Sequence, residues 1–117
     1  MIQSVVDLEQ FADRLTNAWS RETSSLWSLD NPARGQCAVT SLVVQDVFGG
    51  QILKTRLQQL PHFYNLIDGC RFDFTSRQFA DSIDYEDLPS DREEAMSDTD
   101  PEQYRALRGR LGLPVND

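Results

Sequence analysis

Apolar positions recur at helical spacing near the start of the chain. Val5, Leu8, Phe11, Leu15 and Trp19 share one face of a helix and predict one over about residues 4–19. Ser4-Val5-Val6-Asp7 opens it with the character of a capping box. From Arg21 to Gly35 no period is sustained, and Ser24, Ser25, Asn31, Pro32 and Gly35 predict a loop. Between Gln36 and Phe48 the pattern changes again. Ala38, Val39, Leu42, Val43, Val44, Val47 and Phe48 nearly surround a helical axis, and Gly49-Gly50 supplies the stop. A helix that apolar is buried. Its β-branched residues would also suit a strand, but the segment is long for one and the glycines favour helix termination.

Alternation then takes over. Gln51 to Leu57 reads as a strand, and His62 to Ile67 and Cys70 to Thr75 flank Asp68-Gly69, a two-residue hairpin signal. Three antiparallel strands are expected. Ser76 to Phe79 predicts a short turn or helix, the acidic stretch after it an irregular segment, and Asp100-Pro101 the start of a last helix carrying Tyr104, Leu107 and Leu111. The sum is one α+β domain over residues 1–117: a buried helix on a small antiparallel sheet, flanked by N- and C-terminal helices.

A two-residue turn at Asp68-Gly69 sets the register: Ile67 opposite Cys70, Leu66 opposite Arg71, Tyr64 opposite Asp73 and His62 opposite Thr75. One face of the hairpin then carries Phe63, Asn65, Ile67, Cys70, Phe72 and Phe74, and reads as a core face on which Cys70 is a buried structural thiol. The other carries His62, Tyr64, Leu66, Arg71, Asp73 and Thr75. There His62 and Asp73 are diagonal neighbours, about 7–8 Å apart at the backbone and within reach of a carboxylate–imidazole hydrogen bond.

Charge narrows the classes of partner. Eleven Lys and Arg against nineteen Asp and Glu leave a net charge of −8, a field that repels phosphate backbones and anionic lipids, so neither nucleic acid nor membrane is expected. The acid is concentrated in Asp81, Asp84, Glu86, Asp87, Asp91, Glu93, Glu94, Asp98 and Asp100, which read as a solvated surface or as a dock for a basic protein partner. No bilayer-spanning stretch or signal peptide is apparent, and a cytoplasmic location is expected. Two cysteines there read as free thiols, and two Cys with one His cannot complete a zinc shell, so no metal or other cofactor is implied.

Cys37 stands at the start of the buried helix, where free N–H groups and the helix dipole favour a thiolate. His62, the single histidine, follows in one strand and Asp73 in the next. That order suits a nucleophile, its base and the group that orients the base. The oxyanion would sit on the Cys37 N–H and on a side-chain amide from Gln36 or Asn31, both candidates by polarity and nearness in sequence. Asn65 and Thr75 read as supporting hydrogen bonders or plain strand residues, and Trp27 and Tyr64 as pocket walls or packing. The bland readings are a small buried Cys37, a satisfied core His62 and an Asp73 paired with Arg71 or Arg77.

Gly35-Gln36-Cys37-Ala38-Val39-Thr40-Ser41-Leu42-Val43-Val44-Gln45-Asp46, Phe48-Gly49-Gly50, His62-Phe63-Tyr64-Asn65 and Asp73-Phe74-Thr75-Ser76-Arg77-Gln78-Phe79 together resemble the YunG-like bacterial proteins, over about residues 27–80. That resemblance implies a fold more than an activity. More distantly, the order of cysteine, histidine and Asp-x-Thr resembles the transglutaminase-like core shared with papain-type enzymes, with Phe74 where transglutaminases commonly show proline. It implies Cys37 as nucleophile, His62 as general base and Asp73 as orienting acid in a cysteine-dependent hydrolase or acyltransferase acting on a peptide, small amide or thioester. The competing expectation is a non-catalytic interaction domain that binds a protein through its acidic surface.

Overall fold

The computed structural model describes residues 5–114, so the Ser4 cap predicted for the first helix lies outside the described residues. Four helices and four strands follow in order: α1 (Val5–Ala18), α2 (Cys37–Phe48), β1 (Gln51–Leu57), β2 (Leu60–Ile67), β3 (Cys70–Phe72), β4 (Leu88–Pro89), α3 (Arg92–Ser97) and α4 (Pro101–Arg110). A single 3-10 turn, Ser76–Gln78, stands between β3 and β4. The strands form one antiparallel sheet in the order β3-β2-β1-β4.

α2 is the centre of the molecule. Seven consecutive residues, Ala38 to Val44, are buried, so the helix is enclosed on every side. It packs on β2 and β1 and touches α3 and α4. Leu8, Phe11 and Leu15 of α1 join the same core as Leu42, Val43, Ile52, Phe63 and Leu107. Each fully buried aliphatic or aromatic side chain there contributes about 1.5–3 kcal/mol. Polar ties fix the layers: Asn65 Nδ2 donates to the Ser41 carbonyl at 3.0 Å, and Trp19 Nε1 to Thr40 Oγ1 at 3.0 Å. Gly50 makes the turn from α2 into the sheet at φ +79°, where a Cβ would lie 2.1 Å from the Leu66 carbonyl oxygen. No other residue fits there.

The pairs Ile67–Cys70 and Leu66–Arg71 form as the hairpin signal predicts. Four features differ from expectation. β2 begins at Leu60, two residues before His62, because a two-residue turn at Gln58 and Gln59, with φ of 53° and 69°, pairs Leu57 with Leu60. β3 ends at Phe72, so the backbone pairs Tyr64–Asp73 and His62–Thr75 do not form. Asp73 instead folds back on its own chain, accepting hydrogen bonds on Oδ1 from the Thr75 N–H at 3.2 Å and from Thr75 Oγ1 at 3.3 Å. Cys70 is exposed, not a buried structural thiol. It lies beside the turn on the outermost strand, beyond the two strands that α2 covers.

The fourth difference is the acidic segment, which is not wholly irregular. β4 pairs Leu88 with Lys54 and Pro89 with Leu53. α3 follows at once, its N-cap Asp91 accepting from the Glu94 N–H at 2.9 Å. Asp100 caps α4 in the same way, accepting from the Gln103 N–H at 2.7 Å. Residues 79–87 form a strap over the sheet face opposite α2. Glu86 forms an ion pair with Arg56 at 2.8 Å, and Asp87 with Arg71 at 2.7 Å. Glu94 pairs with Lys54. Five of the nine carboxylates in the acidic run thus serve as caps or ion-pair partners.

Candidate active site

Cys37 is the first residue of α2, and its place is set by the loop before it. Thr23 Oγ1 donates to Gln36 Oε1 at 2.8 Å. Gly35 turns at φ +73°, where a Cβ would lie 2.5 Å from Ser24 Oγ. The Gly35 N–H donates to Gln78 Oε1, and Asn31 Nδ2 to the Gln78 carbonyl, both at 3.1 Å. Gln78 Nε2 in turn reaches Thr75 at 3.2 Å. One glutamine therefore couples the loop that carries Cys37 to the turn that shapes Asp73. No side chain caps the N-terminus of α2, which leaves its first-turn N–H groups to Cys37.

His62, on β2, faces Thr55 of β1 and is 2% exposed. Its Nε2 lies 2.6 Å from Asp73 Oδ2. An ionised carboxylate only accepts, so Nε2 is the nitrogen that carries the proton. Tyr85 Oη donates to the same carboxylate oxygen at 2.8 Å. The second ring nitrogen, Nδ1, is buried and has no hydrogen-bond partner among the described residues. Phe79 packs edge-on against the ring at 5.1 Å.

Burial by itself would push the His62 pKa down. Hydrogen bonds from the imidazolium toward Asp73 and Cys37, and the negative charge of both, outweigh that penalty and raise it from 6.5 to about 9. Cys37 thus lies near enough to act on the ring, while Nδ1 forms no bond of ordinary geometry with it. Such a contact tightens as charge develops between the two groups.

Cys37 and His62 open together onto a half-open cleft of about 470 Å³. Leu57, Leu60 and Pro61 form one wall, and Phe79, Ala80 and Ile83 another. The structure brings Cys37, His62 and Asp73 into one constellation. The remaining predicted residues divide. Gln36 is fully buried beside Cys37, and its Nε2 has no hydrogen-bond partner among the described residues. Asn31 has its amide committed to Gln78. Asn65 lies on the opposite face of β2 and ties the strand to α2. Trp27 packs against the core and Tyr64 sits under the strap, its hydroxyl donating to Asp87 Oδ1 at 2.9 Å; neither lines the cleft.

Three residues that sequence reasoning did not assign complete the site: Gln78, Phe79 and Tyr85. None carries a spacing signal. Tyr85 lies in the acidic run, and only the folded strap sets it on Asp73, with the Arg71 guanidinium 4.3 Å from its ring centre and Tyr64 packed edge-on at 4.9 Å. Among the described residues, no group of three or more His, Cys, Asp or Glu is placed to hold a metal ion, and no helix is long and apolar enough to cross a membrane.

Comparison with known proteins extends the sequence resemblance on one side and not on the other. No solved structure matches the chain, and nothing in the matches below ties it to transglutaminase- or papain-type proteins. A protein of Bacillus subtilis (strain 168), described as "Uncharacterized protein YunG", is 54% identical over 102 residues, covering 87% of this chain and 89% of that relative. The model of the family described as "YunG protein" matches residues 7–114, and the chain therefore belongs to the YunG family.

Proposed function

We propose that this chain is a cysteine-dependent acyl-transfer enzyme in which Cys37 is the nucleophile, His62 the general base and acid, and Asp73 the group that orients His62. One observation carries this reading. Asp73 engages Nε2 at 2.6 Å and leaves the buried Nδ1 without a partner among the described residues, so Nδ1 is the nitrogen free to exchange a proton with the thiol that lines the same cleft. A core histidine serving structure alone would have both nitrogens satisfied.

In the reaction the thiol proton rests on Nδ1, as the raised His62 pKa favours, and Cys37 enters as the thiolate of an ion pair whose imidazolium is held by Asp73. The thiolate attacks the carbonyl carbon of an amide or thioester, forming a carbon–sulfur bond and a tetrahedral oxyanion. The oxyanion is met by the Cys37 N–H, and of the two side-chain amides beside it Gln36 Nε2 is the uncommitted one, though it must turn from its buried place to reach the cleft. Collapse breaks the bond to the leaving amine or thiol, which takes the proton from His62. Water or an amine then attacks the acyl-sulfur bond, its proton passing to His62, and the thiolate is restored.

The test uses the two thiols of the same molecule. Alkylation by iodoacetamide at pH 6 is followed separately at Cys37 and at the exposed Cys70 by peptide mass spectrometry. A thiolate held by imidazolium reacts on the order of 10² times faster than an ordinary thiol at that pH, and His62→Gln removes the advantage. Equal rates at the two cysteines, or a fast Cys37 indifferent to His62→Gln, overturn the proposal.

A further inference from the structure

The cleft in front of Cys37 has a one-sided chemistry. Its walls are mainly apolar, with Gln58, Gln78 and Ser82 as neutral polar exceptions. Neither Lys nor Arg contributes to it, and Asp81 is its only carboxylate. No described residue pairs with that carboxylate. Leu60 is 69% exposed although it sits in a regular hairpin, and Phe79 is 37% exposed beside the imidazole. Both large side chains line the cleft and stay exposed instead of completing the core. A cavity of about 470 Å³ lies within the ~300–1,000 Å³ range of small-molecule sites, whose walls are commonly apolar with a few polar groups.

We propose that the acyl group this cleft accepts is apolar and carries no negative charge. The inference rests on the acyl-transfer reading above and names the substrate class for that site: a small amide or thioester whose acyl chain lies between Leu60 and Phe79, with its carbonyl at Cys37. An anionic chain would give up its hydration to enter, find no Lys or Arg on the walls and the His62 charge already paired with Asp73, and meet Asp81 in the field of a chain of net charge −8. An apolar chain covers Leu60 and Phe79 and gains by leaving water.

Three iodoacetamides test this at pH 7 on the intact chain: the parent compound, its N-phenethyl derivative and the N-(4-carboxyphenethyl) derivative. Each is read at Cys37 and normalised to Cys70. The phenethyl probe is expected to exceed the parent at Cys37 by about tenfold, the discrimination a hydrophobic pocket gives for a group of this kind. The carboxylated probe loses most of that gain. Leu60→Ser removes the phenethyl advantage, read as the ratio of phenethyl to parent rate at Cys37, and Asp81→Asn restores part of the carboxylated probe's rate. Equal normalised rates for all three probes, with Cys37 still fast and still dependent on His62, overturn the substrate class and leave the acyl-transfer reading standing. Loss of the His62 dependence overturns both.

Discussion

β2 is buried on both faces, and the two faces are covered by different means. On one, Phe63, Asn65 and Ile67 pack under α2 in a layer that is apolar except for one amide tied to the Ser41 carbonyl. On the other, His62 and Tyr64 are just as inaccessible, but what covers them is the strap, held by hydroxyl–carboxylate bonds and by the Arg56–Glu86 and Arg71–Asp87 pairs. The apolar face is held by dispersion and the exclusion of water, which tolerate no vacancy. The polar face is held by groups that water can partly replace. Stability is expected to reside mainly on the first face and reactivity on the second.

The largest effect should come from the apolar side. Phe63→Ala is expected to cost about 3–5 kcal/mol in urea denaturation, whereas Tyr64→Phe, which removes only the hydroxyl under the strap, should cost about 1 kcal/mol. Similar losses for the two would erase the distinction between the faces. Next comes pH. The His62 pKa rises from 6.5 in the open chain to about 9 in the folded protein, so the group stabilises the fold in full below pH 6.5, and that contribution is lost as pH climbs through about 9. The urea midpoint of the native chain should therefore fall between these limits relative to His62→Gln. A parallel fall in both proteins would show that the pair adds nothing.

Smaller effects sharpen the functional half of the contrast. Tyr85→Phe removes a donor from Asp73 at a cost of about 1 kcal/mol or less, and leaves His62 as the main donor to that carboxylate oxygen. The His62 midpoint, read by NMR of the ring protons, should move upward while the fold persists. Gln78→Ala should leave the core intact yet slow alkylation at Cys37 severalfold, because the loop before α2 loses its tie to Thr75. Smallest of all, Arg56→Ala should change stability little, and any change should shrink in high salt, since the arginine side chain is 65% exposed in its ion pair. A large loss there would make the strap a structural support in its own right.

What the sequence disclosed follows the same division. α1, α2, β1 and the Asp68-Gly69 turn were legible because each is dictated locally, by apolar spacing, by glycine stops or by turn chemistry. The bond between His62 and Asp73 forms as expected but not by the expected register, since the strand pairs that would have made them diagonal neighbours are absent and Asp73 reaches the ring from a turn. The strap was not legible. β4 exists only by pairing with β1, and Tyr85 meets Asp73 in a strap whose ion pairs join Glu86 to Arg56 and Asp87 to Arg71, all contacts between residues distant in sequence. One signal there was readable: Asp91 followed three residues later by Glu94, ahead of Ala95 and Met96, has the spacing of a capped helix start. Cys70 was misread because the face of a residue was taken for its depth, and a short edge strand separates the two.

The sulfur rides on a helix and its proton acceptor on a sheet, so the gap between them is spanned by the interior of the molecule and not by any link along the chain. A slackening of that interior by one or two methyl groups, as in Ile52→Val or Val39→Ala, widens the gap before it unfolds anything. Alkylation kinetics at Cys37 thereby become a gauge of how tightly helix and sheet are clamped together, and pressure or mild heating should detune the thiol while the secondary structure is still whole.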